Sequence, residues 1–223
     1  MSLALYIHWP FCLRKCPYCD FNSHVRSQFD ELAWEHALLT DLAFEARLTE
    51  GQIVSSIFFG GGTPSLMPPR LTQKIIDQAN TYWGLASDIE ITLEANPSSV
   101  EAGNFSDLAQ AGVNRISLGI QALDDDTLGF LGRLHSVSES LSALDLAQSL
   151  FGRVSFDLIY ARPDQTPESW QRELGQALSF GTDHLSLYQL TIEPGTQFAT
   201  LVRQGKFVPQ DDDDAAELFA ITR

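Results

Sequence analysis

All three cysteines of this 223-residue chain lie in one stretch, Tyr6-Ile7-His8-Trp9-Pro10-Phe11-Cys12-Leu13-Arg14-Lys15-Cys16-Pro17-Tyr18-Cys19-Asp20-Phe21, at the spacing C-x3-C-x2-C. Cysteine thiolates hold iron–sulfur clusters, and a [4Fe–4S] cube normally takes four of them. Three thiolates leave one iron without a protein ligand, and an open metal position is where a small molecule can be bound and activated. The same residues also suit a closed tetrahedral Cys3His zinc site, with His8 or His24 as the fourth ligand. Thiolate preference serves either metal. Buried, inert thiols fit poorly, because Arg14, Lys15, Pro17 and Asp20 make the stretch a polar loop.

Other residues of chemical interest follow at intervals. Gly60-Gly61-Gly62-Thr63-Pro64 allows positive φ and close approach of a ligand to the backbone, although a tight turn explains it equally. It is not a phosphate-binding P-loop, since no lysine stands at the required offset. Glu94 closes the apolar run Ile89–Leu93, and a carboxylate there must be paired or solvated. A rim ion pair is the plain reading. Asp157, inside the apolar strand pattern Ser155–Tyr160, calls for a polar partner. Arg133, within Gly132-Arg133-Leu134-His135, has the planar fork that recognises carboxylates, and is otherwise a surface arginine. His8 can ligate zinc, relay a proton or tune a cluster by hydrogen bonding, and His135 is a lesser candidate. Asp211–Asp214 look like a metal site but fit the start of a helix better, where carboxylates complement its positive end.

The elements that must position these residues alternate regularly. Predicted strands cover Leu3–His8, Ile53–Phe59, Ile89–Glu94, Val113–Gly119, Val154–Tyr160 and His184–Leu190. Predicted helices cover Phe29–Leu48, Pro69–Trp83, Val100–Ala111, Val137–Leu150, Pro167–Phe180 and Asp211–Thr222. Strands separated by helices imply parallel pairing with right-handed crossovers. Six such units suit a partial barrel, and periodicity alone also allows a doubly wound sheet. In either, functional groups gather where strands end. The chemically distinctive residues fall mostly at such ends.

Composition narrows the classes. Fourteen Lys and Arg against 29 Asp and Glu give a formal charge of −15, which argues against a nucleic-acid-binding face and against anionic lipid. With 44% hydrophobic residues the chain can bury a large core as one α/β domain. An odd number of cysteines packed into eight residues fits no disulfide framework, and the expectation is a reducing, cytoplasmic setting. No signal peptide or membrane span is expected from the apolar runs.

The pattern C-x3-C-x-aromatic-C directly after a first strand resembles the signature of the radical S-adenosylmethionine (SAM) superfamily. The flanking Y-x-H-x-P-F-C is similar to one branch of it, the oxygen-independent coproporphyrinogen III oxidases and their HemW-type heme-chaperone relatives. The resemblance implies a partial (β/α)6 TIM-like barrel. It implies a [4Fe–4S] cluster on Cys12, Cys16 and Cys19, with SAM chelating the fourth iron. An electron passing from the cluster to the SAM sulfonium would then release methionine and a 5′-deoxyadenosyl radical. Carried over position by position, Gly61, Gly62 and Thr63 meet the methionine amino group and Glu94 contacts the methionine end. Arg133 takes the carboxylate, Gln121 lies near the ribose, and Asp157 meets a ribose hydroxyl. Tyr6 and Tyr18 are expected SAM neighbours, and His8 is expected to hydrogen-bond the cluster.

Within the branch, the oxidases carry a fourth cysteine two residues past the third, where this chain has Phe21. Cys16-Pro17-Tyr18-Cys19-Asp20-Phe21, Gln165-Thr166 and Pro194-Gly195-Thr196 are similar to the heme-chaperone subgroup. The resemblance therefore implies binding of heme and its transfer to acceptor hemoproteins, with an electron donor serving the cluster. Porphyrinogen decarboxylation is the second reading, and a zinc-stabilised binding domain the third. That subgroup's H-N-x-Y-W heme motif lies further toward the C-terminus, and no histidine here precedes an asparagine. The expectation is that residues 1–223 are a radical SAM core from a longer heme-binding protein.

Overall fold

The alternating apolar and helical patterns become six parallel strands wrapped by helices in a computed structural model that describes residues 2–26 and 28–223. The order begins β1 (Ser2–Trp9), β2 (Phe11–Cys12), β3 (His24–Val25), α1 (Glu31–Leu48), β4 (Ile53–Gly61), α2 (Pro69–Trp83) and β5 (Leu85–Ala95). It continues α3 (Ser99–Ala102), α4 (Phe105–Gln110), β6 (Arg115–Gln121), α5 (Asp125–Phe130), α6 (Val137–Leu150) and β7 (Arg153–Tyr160). Then come α7 (Pro167–Ser179), β8 (His184–Gln189), α8 (Gln197–Arg203) and α9 (Asp212–Thr222).

The main sheet has the order β1-β4-β5-β6-β7-β8, each neighbouring pair parallel. A doubly wound sheet reverses its order at a switch point. This sheet never reverses, and it curls into the expected partial (β/α)6 barrel.

Several boundaries depart from the sequence reading. The predicted helix Val100–Ala111 is two short helices, α3 and α4, interrupted at Gly103-Asn104, both weak helix formers. Strand β5 begins at Leu85 rather than Ile89, because Leu85 pairs with Val54 ahead of an irregularity in the ladder. Helices α5 and α8, with six and seven residues, are too short for periodicity to reveal. The acidic run behaves as expected of a cap: Asp211 accepts from the Asp214 N–H at the start of α9.

An apolar shell of Trp9, Phe59, Leu93, Ile116, Phe156 and their neighbours is buried between strands and helices. Trp9 packs edge-on against Phe11, Phe29 and Trp34, with ring centroids 5.2, 5.0 and 5.9 Å away, which fixes the start of the cysteine loop on α1. The inner face of the sheet is polar instead. Arg115 donates to Thr92 Oγ1 (3.2 Å), Ser155 Oγ (2.9 Å) and His184 Nδ1 (2.8 Å). Ser155 Oγ donates to Ser117 Oγ (3.0 Å), whose own hydroxyl points at Asp157 (3.5 Å). This column of hydrogen bonds rises through the barrel interior toward the carboxyl ends of the strands.

Candidate functional site

The cysteine loop is tied at both ends. Phe11 and Cys12 pair with His24 and Val25, His24 N–H donates to the Pro10 carbonyl (2.7 Å), and Arg26 N–H to the Cys12 carbonyl (3.1 Å). Within the loop, Cys19 N–H closes a turn onto the Cys16 carbonyl (3.1 Å), and Lys15 Nζ donates to the Phe21 carbonyl (3.0 Å). The three cysteines are free thiols, Cys12 buried and the others half-buried, and all three line one cavity. Burial pushes the Cys19 thiol up from its ordinary value. Among the described residues no three His, Cys, Asp or Glu side chains converge on a single-ion site, as a closed zinc tetrahedron requires.

The glycine run packs under this loop. Gly62 N–H donates to the Trp9 carbonyl (2.6 Å), Thr63 N–H to the Phe11 carbonyl (2.8 Å), and Gly61 N–H to Glu94 Oε2 (3.3 Å). Gly61 has φ +114°, and a Cβ at Gly62 would come within 2.7 Å of the Phe11 carbonyl and 3.0 Å of Cys12 Sγ. Glycine is therefore required here for contact with the loop. Because the three N–H groups are used internally, the backbone of the turn can offer a ligand only carbonyl acceptors.

The cavity, about 300 Å³, is walled on its other sides by Glu94, Gln121, Arg133 and Asp157, with Tyr18 and Thr63. Glu94 ends β5 without an ion pair among the described residues, so the rim-salt-bridge reading does not hold. Burial first, and the Asp157 charge second, raise its pKa to about 7, against the opposing Gly61 N–H. Burial likewise raises Asp157 to about 6, despite the hydroxyls of Ser186 and Ser117 and the charge of Arg133. Asp157 ionises first, and Glu94 then loses its proton in the face of that charge. Gln121 ends β6 with φ +74°, where the β6–β7 register breaks, and its buried Oε1 has no partner among the described residues.

Arg133 is no surface residue. One terminal nitrogen donates to Cys16 Sγ (3.3 Å) and Tyr18 OH (3.4 Å); the other donates to the Gly119 carbonyl (2.8 Å) and to Asn96 Oδ1. Its buried Nε has no partner among the described residues. Two residues on, His135 donates through Nε2 to the Ile120 carbonyl (3.1 Å), and burial followed by the Arg133 charge lowers its pKa to about 4. It is a neutral structural histidine at physiological pH.

Two expected residues stand outside the cavity wall. Tyr6 is stacked on Phe58 and largely exposed, its pKa raised by burial and then by Glu94. His8 donates through Nε2 to the Asn22 carbonyl (3.0 Å), its ring against Gly61. Sequence reasoning missed Asn96, Ser117 and Tyr188, which all line the cavity. In the sequence Asn96-Pro97 signals no more than the end of a strand, and Ser117 and Tyr188 carry no signal until β6 and β8 are placed beside β7.

Residues 6–175 match the family described as the Radical SAM superfamily. The chain belongs to the radical SAM superfamily. Among curated proteins, it is 45% identical over 213 residues to the heme chaperone HemW of Escherichia coli, covering 94% of this chain and 55% of that one. It is 44% identical over 217 residues to the mouse mitochondrial radical S-adenosyl methionine domain-containing protein 1, covering 97% and 49%. The radical SAM coproporphyrinogen III oxidase HemN of E. coli superposes with a TM-score of 0.85 at 26% identity, covering 99% of this chain and 51% of that structure. The chain thus spans about half the length of the curated relatives it matches. No helix among its described residues is long and apolar enough to cross a membrane.

Proposed function

We propose that this chain is the radical SAM core of a heme chaperone. In this reading Cys12, Cys16 and Cys19 hold a [4Fe–4S] cluster, SAM occupies the adjoining cavity, and heme is bound and passed to acceptor hemoproteins by a protein of about twice this length. The observation that carries the cofactor assignment is that three free thiols share one cavity with Glu94, Asp157 and Arg133. Thiolate softness suits iron–sulfur ligation. The cavity's charge pattern suits SAM, whose ammonium and sulfonium are cations and whose carboxylate is an anion. With both terminal nitrogens of Arg133 engaged within the protein, its orphaned Nε is the donor left for the carboxylate, and the orphaned Gln121 Oε1 adds an acceptor.

The bound cofactors supply one-electron and radical chemistry. The chain's own residues bind and orient. Glu94 and the acceptors of the glycine turn take the ammonium end, Arg133 the carboxylate, and Asp157 and Gln121 the ribose. Tyr18 and the cysteine loop wall the cavity on the cluster side. An incoming cation favours the ionised forms of Glu94 and Asp157, so binding releases protons near neutral pH.

HemW-named relatives at 35–45% identity and Phe21 in place of a fourth cysteine support the chaperone over the oxidase. The expected need for reduced thiols supports a cytoplasmic setting. The deciding experiment assays the full-length protein, anaerobically reconstituted, for heme binding and for carbon dioxide release from coproporphyrinogen III. Heme binding without decarboxylation is expected. Turnover on the order of 1 per minute or faster would overturn the chaperone assignment, since enzymes ordinarily reach about 10 per second.

A further inference from the structure

Behind the cavity wall lies a buried carboxylate that the binding scheme does not use. Glu101, on α3, is 2% exposed and has no cationic partner among the described residues. It is satisfied entirely by neutral donors. Ser65 Oγ donates to it, as do the Asn96 N–H (2.8 Å), Asn96 Nδ2 (3.1 Å) and Ser98 Oγ (3.4 Å). Leaving a buried carboxylate among uncharged groups is costly unless its acceptor sites are filled, and here they are.

The arrangement has a directional consequence. A side-chain amide has one donor end and one acceptor end. Asn96 turns its Nδ2 toward Glu101 and Thr63 Oγ1 (3.4 Å), which leaves Oδ1 facing the Arg133 guanidinium. The opposite orientation would set Oδ1 against the Glu101 carboxylate and the NH2 against the Arg133 cation, two repulsive contacts at once. Glu101 and Arg133 together therefore fix the amide orientation, with Glu101 gripping its donor end, and the amide holds the Arg133 fork against the Gly119 carbonyl. The same fork reaches Cys16 Sγ and Tyr18 OH through its other nitrogen.

We infer that Glu101 is a positioning residue, which acts through Asn96 to aim Arg133 at the carboxylate of the bound ligand. The inference rests on the reading above that Arg133 meets that carboxylate. It adds that selectivity for a carboxylate-bearing ligand is set by a residue that never touches it.

The test compares the affinity of the anaerobically cluster-loaded chain for SAM and for decarboxylated SAM, which lacks only the carboxylate. The wild-type chain is expected to prefer SAM. Glu101→Gln keeps the shape of the side chain but turns an NH2 toward donors, and is expected to reduce the preference about tenfold, the equivalent of losing one charge-assisted hydrogen bond. Asn96→Ala, at a half-buried position, should reduce it to the same degree, and the double variant no further, since both act through one contact. Ile76→Val, a mild core change on α2, serves as the stability control and should leave the ratio at the wild-type value. An unchanged ratio in Asn96→Ala, or in folded Glu101→Gln, overturns the inference. If Arg133→Ala also leaves the ratio unchanged, the carboxylate assignment of Arg133 falls with it. If Arg133→Ala abolishes the preference while the other two variants retain it, only the role of Glu101 is lost.

Discussion

Replacing Glu94 by glutamine should stabilise the ligand-free chain at pH 8 and change little at pH 5. The folded-state pKa of about 7 stands above the ordinary glutamate value of 4.5, because burial and then Asp157 disfavour the ionised form. Between those pH values the folded chain binds more protons than the unfolded chain, so stability falls as pH rises through the window. Below pH 4.5 Glu94 costs nothing, and above pH 7 its full penalty is present. At 1.36 kcal/mol per pKa unit the penalty reaches about 3 kcal/mol. Glutamine removes the charge but keeps an oxygen to accept from Gly61 N–H. The gain at pH 8 should therefore approach 3 kcal/mol, or roughly 6–12 °C in Tm for a chain of this size. Urea unfolding followed by circular dichroism, under reductant and without iron, reads it as a shift in midpoint at constant slope. A gain of equal size at pH 5, or none at pH 8, would refute the argument, because either result means that the carboxylate is not strained by its surroundings.

Three further outcomes follow from the same geometry. Cys12→Ser, Cys16→Ser and Cys19→Ser should each lose the roughly four iron and four sulfide expected of the anaerobically prepared chain; zinc bound stoichiometrically under those conditions would reject the cluster. Gly62→Ala should displace the cysteine loop, since the added Cβ meets the backbone carbonyl of Phe11 at 2.7 Å. Loss of about 1–3 kcal/mol of stability is expected, together with poor cluster retention in iron analysis, and full cluster loading at wild-type stability would contradict it. SAM affinity should rise as pH increases from 6 to 8, as Glu94 ionises through about 7, and Glu94→Gln should flatten that dependence and weaken binding by roughly 10- to 100-fold; a pH-independent wild-type affinity measured by titration calorimetry would exclude Glu94 as a cation contact.

Much of this molecule is determined locally. The spacing of the three cysteines, the glycine run and the alternation of strand and helix patterns are properties of short segments, and they carried the superfamily and the six-unit barrel. Helices such as Pro69–Trp83 and Val137–Leu150 have the same ends in the structure as in the sequence, because their starts and stops are encoded beside them. Partnership across the barrel is another matter. Nothing in the sequence near Glu94 tells whether it meets a cation or another carboxylate, since that depends on which strand lies two places away. Taken by itself Arg133 reads as a surface arginine, set apart only by the family resemblance, and its burial appears only when the α5–α6 connection carries it beneath the cysteine loop. Glu101 was one helical residue among many until the break at Gly103 and the turn after β4 enclosed it with Ser65 and Asn96. A side chain's charge is written in the sequence, but the solvent it loses and the groups it then faces are set only when distant strand ends converge. At this site those two quantities set the pKa of Glu94 and the hydrogen-bond partners of Arg133.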